Sequence, residues 1–193
     1  MKHLKTTTGI LAIVFIALTA TSCKENKKDS DNIVNHQTEM KDEDHSNMNQ
    51  KNTATTAVIE AYIQVKNGLV EESKDNAAKG ATAMLTAFSK FDMTKLSAET
   101  HKNYMEIYES AKEHATHIVK SDIKHQREHF ETLSGDITDL IDLLGTEKTL
   151  YQDFCPMANN NKGAYWISEV KNIRNPYFGS RMMKCGSVKK QIN

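Results

Sequence analysis

Proline placement constrains this chain more than any other feature. Both prolines, Pro156 and Pro176, lie near the C-terminus, so nothing upstream carries the residue that breaks helices. From about 54 to 145 the apolar residues recur at helical spacing. A first helix is predicted through Val58, Ile59, Tyr62, Val65 and Leu69, and a second through Ala77, Ala81, Met84, Leu85, Phe88 and Phe91. After a break at Asp92-Met93-Thr94, Ser97 can cap a third helix carrying Tyr104, Ile107, Tyr108, Ala111 and Ile118. Ser121 can cap a fourth, with Ile123, Phe130, Ile137 and Leu144 at heptad spacing and Leu133 and Leu140 beside them. The pattern runs through Gly135, at a cost of about 1 kcal/mol, and Gly145 ends it. The expected fold class is all-α: a four-helix up-down bundle with an irregular Cys/Met-containing C-terminal cap over about 149–190.

Charge narrows the function. Lys+Arg and Asp+Glu each number 25, with no basic run, which argues against a nucleic-acid partner. No nucleophile elbow or phosphate loop is present, and no histidine lies near Cys155 in the sequence, so the reading is not an enzyme.

The N-terminus reads as an address. Lys2, His3 and Lys5 precede a short apolar core, Ile10 to Leu18, and small residues Ala20-Thr21-Ser22 stand before Cys23. The core is too short to span a membrane and fits a signal peptide over 1–22. The junction resembles the bacterial lipobox, with Ala20 where leucine is usual; the resemblance implies lipidation of Cys23 and anchoring in the cell envelope. Residues 23–53 are polar and read as a flexible tether before a domain over 54–190. Within the tether, His36, Met40, His45 and Met48 could capture a passing metal ion, although plain polar composition is the simpler reading, since two such pairs are few.

Two helical histidine pairs stand one turn apart: His114 with His117, and His125 with His129. Such a pair can hold a metal ion. Among Lys112, Glu113, Lys120 and Lys124, solvated or capping histidines are the simpler reading. His125-Gln126-Arg127-Glu128-His129 is not a zinc-protease motif, because its glutamate is misplaced for a general base.

Specialised chemistry concentrates in the cap. Cys155-Pro156-Met157 and Met182-Met183-Lys184-Cys185 place thiol beside thioether twice. Soft sulfur selects copper(I) or silver(I), so Cys155, Met157, Met182 and Cys185 form a candidate site, with Met183 as an accessory. Zinc is less suited, since it prefers histidine beside cysteine. The alternative is a disulfide between Cys155 and Cys185, favoured by an oxidising envelope.

The motifs Gln126-Arg127-x-x-Phe130-x-x-Leu133-Ser134, Phe154-Cys155-Pro156-Met157-Ala158, Gly163-Ala164-Tyr165-Trp166-Ile167-Ser168, Ile173-Arg174-Asn175-Pro176-Tyr177-Phe178-Gly179 and Met182-Met183-Lys184-Cys185-Gly186 carry a resemblance. Together they resemble the bacterial envelope lipoprotein domain of unknown function 3347, which is also found appended to copper and silver efflux adaptors. The resemblance covers about 54–190 and implies a helical envelope domain with a heavy-metal association and efflux components as partners. Cys155-Pro156-Met157 is also similar to the core of a small heavy-metal-binding domain, but Ala158-Asn159 replaces the His-Pro found there. The combined expectation is a lipid-anchored envelope protein binding copper(I) or silver(I) for efflux or buffering. Its alternative is a metal-free, disulfide-stapled interaction module.

Overall fold

The computed structural model describes residues 53–193, all of which fall within one compact unit. Cys23, His36, Met40, His45 and Met48, with the signal peptide and the tether, lie outside the described residues.

Four helices form where the apolar period predicts them: α1 (Thr53–Val70), α2 (Lys74–Ser89), α3 (Ala98–Lys120) and α4 (Ile123–Leu144). Each helix packs on its sequence neighbour, and α4 returns to contact α1. The core holds Val58, Tyr62, Val65, Leu69, Met84, Tyr104, Ile118, Phe130, Leu133, Ile137 and Leu140, each 1 % exposed or less. Burial of such side chains, at about 1.5–3 kcal/mol each, is what makes helices of modest intrinsic propensity persist. Gly68 and Gly80 set the spacing of α1 and α2. A methyl group on Gly80 would stand 2.5 Å from the Val65 amide nitrogen, and one on Gly68 would meet the backbone of Ala77. Only glycine permits that approach. No helix among the described residues is long and apolar enough to cross a membrane.

Helix ends follow local chemistry. Ser73 and Ser97 cap α2 and α3 by accepting hydrogen bonds from the Asn76 and Thr100 amides. The cap of α4 is Asp122, one residue beyond the expected Ser121, and its carboxylate accepts from the His125 amide. An ionised carboxylate serves the positive helix end better than a hydroxyl. Ser121 instead closes α3. Helix α4 continues through Gly135, and Gly145 (φ 75°) ends it while donating to the Ile141 carbonyl.

The all-α expectation holds for the bundle and not for the cap. A three-stranded antiparallel sheet, in the order β2-β1-β3, is built from β1 (Leu150–Cys155), β2 (Ala164–Ser168) and β3 (Ser187–Ile192). The strands escape a period-2 search because β1 carries a register shift at Gln152/Asp153, β2 buries nearly every side chain, and β3 is mostly exposed. The cap is therefore ordered, and it extends to Ile192.

Hydrogen bonds tie the sheet to the bundle. The Ile167 amide donates to the Tyr62 hydroxyl at 3.1 Å, and that hydroxyl pairs with Ser134 Oγ at 2.8 Å. Arg127 donates from Nε to the Pro176 carbonyl at 2.9 Å and from Nη2 to the Leu69 carbonyl at 3.1 Å. Tyr177 packs on both Phe130 and Trp166, so the single tryptophan seats the cap on the bundle.

Candidate metal centre

Cys155 ends β1 and Cys185 lies two residues before β3, so pairing of those strands brings the two together. They are joined in a disulfide, with Cα atoms 5.7 Å apart. Asn175 holds the return of the chain: its Nδ2 donates to the Cys185 carbonyl at 2.8 Å, while its Oδ1 accepts from the Tyr177 and Phe178 amides. In this state neither cysteine presents a thiolate. Met157 is 47 % exposed beside the disulfide, whereas Met182 and Met183 are half-buried.

Met157 lines a cleft of about 850 Å³ between α4 and the cap, shared with Arg127, Glu131, Phe178 and Arg181. One wall is the turn Asn159-Asn160-Asn161, all three at left-handed φ (48°, 55° and 64°). Asparagine tolerates that conformation better than most residues.

Where α4 faces α3 the structure assembles what the sequence left as two separate pairs. Ser121 and Asp122 join α3 to α4 so tightly that the helices run back alongside each other as a hairpin. Residues equidistant from such a turn face one another. His114 thereby meets His129, and His117 meets His125. His129 sits at the centre: its Nδ1 lies 2.8 Å from His114 Nδ1, and its Nε2 lies 3.1 Å from His125 Nε2. The His117 ring stacks on the His129 ring, with centroids 4.3 Å apart. Ligand atoms of His117, His125 and His129 all lie within 4.8 Å of one another.

That spacing suits a small ion. Zinc–nitrogen bonds of about 2.0–2.1 Å put tetrahedral ligand nitrogens about 3.3–3.4 Å apart, close to the observed His125–His129 separation. His117 offers the third ligand nitrogen, within 4.8 Å of the other two. His117 and His125 are exposed and His129 is half-buried, so an ion can enter from solvent. Burial first, and then the charges of His117, His125 and His114, hold the His129 pKa below the ordinary histidine value. That shift favours the neutral ring, the form a ligand must take. Glu128 Oε2 accepts from His125 Nδ1 at 2.8 Å, which leaves His125 Nε2 facing inward. A carboxylate behind a histidine in this way orients the ring and raises its basicity as a ligand.

The sequence signal for the cluster was present in the two pairs placed almost symmetrically about residue 121. What it lacked was the knowledge that the turn there is tight.

A second polar feature lies under the sheet. Asp153 is fully buried, and among the described residues neither carboxylate oxygen makes a well-formed hydrogen bond; the near donor is the indole N–H of its cross-strand neighbour Trp166, itself otherwise unpaired. Burial pushes its pKa up to about 7, partly opposed by the positive charge of Lys66 and by the indole N–H of Trp166. Lys66, also fully buried, pairs with Glu169 at 2.9 Å.

Residues 58–149 match the family model described as a protein of unknown function (DUF3347). The matched stretch holds all four histidines of the cluster and stops before β1, so the cap lies outside it, a narrower reach than the motif resemblance implied. No curated protein and no solved structure matches the chain. Over residues 58–149, its helical bundle, the chain carries a DUF3347 domain.

Proposed function

We propose that this is a lipid-anchored envelope protein that binds a transition-metal ion, copper foremost, on the face shared by α3 and α4. It would buffer that ion or pass it to efflux components. One observation carries the reading: three histidines from two helices, with ligand nitrogens within 4.8 Å of one another. Imidazole suits zinc, copper and nickel, and copper(II) stands highest in the divalent affinity order. Three protein ligands leave a position free, through which a bound ion can be exchanged.

The soft-ion role proposed for Cys155, Met157, Met182 and Cys185, taking copper(I) or silver(I), belongs to a reduced state of the cap. A dithiol would have to deliver two electrons and two protons to the disulfide, becoming a disulfide itself, before those thiols existed. The disulfide and the adjoining cleft favour a second reading, a metal-free interaction module of the envelope.

Titration of the full-length protein, disulfide intact, with copper(II) against a competing chelator separates the two. The expected result is one site whose affinity falls at least about 100-fold, or about 2.7 kcal/mol, in the double variant His125→Ala/His129→Ala. Equal affinities for variant and wild type would leave the interaction module as the better account.

A further inference from the structure

Three of the four imidazoles, His114, His129 and His125, form a hydrogen-bonded chain whose sense follows from Glu128 inward. From it we infer that His114 is a positioning residue, one that fixes which nitrogen of His129 faces the ion and reverses its own hydrogen bond when the ion binds. The inference rests on His117, His125 and His129 being the ligands.

Each neutral imidazole has one N–H and one accepting nitrogen. The Glu128 carboxylate only accepts, so His125 donates from Nδ1 and keeps Nε2 as an acceptor. His129 Nε2 then donates to it across 3.1 Å, leaving His129 Nδ1 to accept. His114 must therefore donate from its own Nδ1 across 2.8 Å. Metal-free, the order of donation runs from His114 to His129 to His125 to Glu128.

An ion reverses half of that chain. Coordination needs the lone pairs of His125 Nε2 and His129 Nε2 together, and only the first is already available. His129 has to move its proton from Nε2 to Nδ1. Its Nδ1–H then points at His114 Nδ1, which becomes an acceptor, and His114 carries its proton on Nε2. On each of the two rings one N–H bond breaks and one forms, and the net charge is unchanged. His114 is half-buried, so water can carry the exchange. Glu128 supports His125 in both states, whereas His114 supports His129 by reversing. Without His114, the Nδ1–H of loaded His129 loses its acceptor, the kind of loss that costs metal sites about 10–100-fold in affinity.

The test is nuclear magnetic resonance on full-length protein labelled with ¹⁵N-histidine, titrated with zinc(II) as a diamagnetic probe. Ring nitrogen shifts and couplings report the tautomer of each histidine directly. His114 is expected as the Nδ1–H form without zinc and as the Nε2–H form with it. His114→Phe should weaken zinc binding at least about tenfold. His114→Asn, whose Oδ1 can accept where Nδ1 did, should recover most of that loss. An unchanged His114 tautomer while His125 and His129 shift would overturn the positioning role and leave the three-histidine site standing. Zinc bound directly to His114 would overturn it too, making that residue a ligand. If no histidine among the four responds to zinc, the site reading falls with it.

Discussion

The histidine face and the sulfur-bearing cap both gather metal-capable donors, yet they differ in what those donors are free to do. In the cap, Cys155 and Cys185 are committed to each other, and the Asn175 clamp holds the chain around them. On the α3–α4 face, three histidines bring ligand nitrogens within 4.8 Å, supported behind by Glu128 and His114. A donor is counted by residue type but works through a lone pair, and pairing within the protein decides whether that lone pair is left. The cap commits its sulfur to a disulfide, whereas on the helix face His125 Nε2 keeps a lone pair and His129 needs only a proton shift between its ring nitrogens to offer one.

Removal of the disulfide gives the largest expected effect and tests this division. Its partners are 30 residues apart, a loop length for which crosslinking contributes about 3–4 kcal/mol. Cys155→Ser with Cys185→Ser should lose about that much in urea unfolding while copper(II) affinity changes less than about threefold. A large fall in affinity at undiminished stability would reverse the roles of the two regions.

The pH response of the cap comes next. Free in an unfolded chain, an aspartate titrates near 3.9, whereas burial pushes Asp153 up to about 7. Between those values the folded protein keeps a proton that the unfolded chain has lost. Asp153 therefore stabilises the fold less and less as pH rises from about 4 to about 7. Asp153→Asn should be more stable than wild type by about 2 kcal/mol at pH 8, on the scale of an unpartnered buried polar group. The gain should vanish toward pH 4. Thermal melts across that range check the sign; a variant less stable at pH 8 would mean that the carboxylate is ionised and satisfied in the fold.

The bundle was legible because helical periodicity is local. Tyr62, Val65 and Leu69 declare their shared face within two turns, as do Phe130, Leu133 and Ile137. The sheet was not, because β1 finds β3 only after the chain has crossed Pro176, and the shift at Gln152/Asp153 breaks the alternation that would have announced a strand. The two cysteines were visible as a pair with two possible fates. The histidine cluster lies between these cases. Each pair could be read on its own helix, but their union depends on a tight turn at Ser121-Asp122 whose closure no single-helix pattern encodes.

The smallest expected effect belongs to the thioethers. Met157→Leu with Met182→Leu keeps nearly the same volume and touches no histidine, so copper(II) affinity of the oxidised protein should stay within about twofold. A tenfold loss would draw the cap sulfurs into the site.

X-ray absorption on zinc-loaded full-length protein tests the division of roles most directly, because it identifies the donor atoms themselves. The account predicts nitrogen or oxygen neighbours at about 2.0–2.1 Å with the outer-shell scattering of imidazole, lost in His125→Ala/His129→Ala. Sulfur neighbours at about 2.3 Å, persisting in that variant, would contradict it.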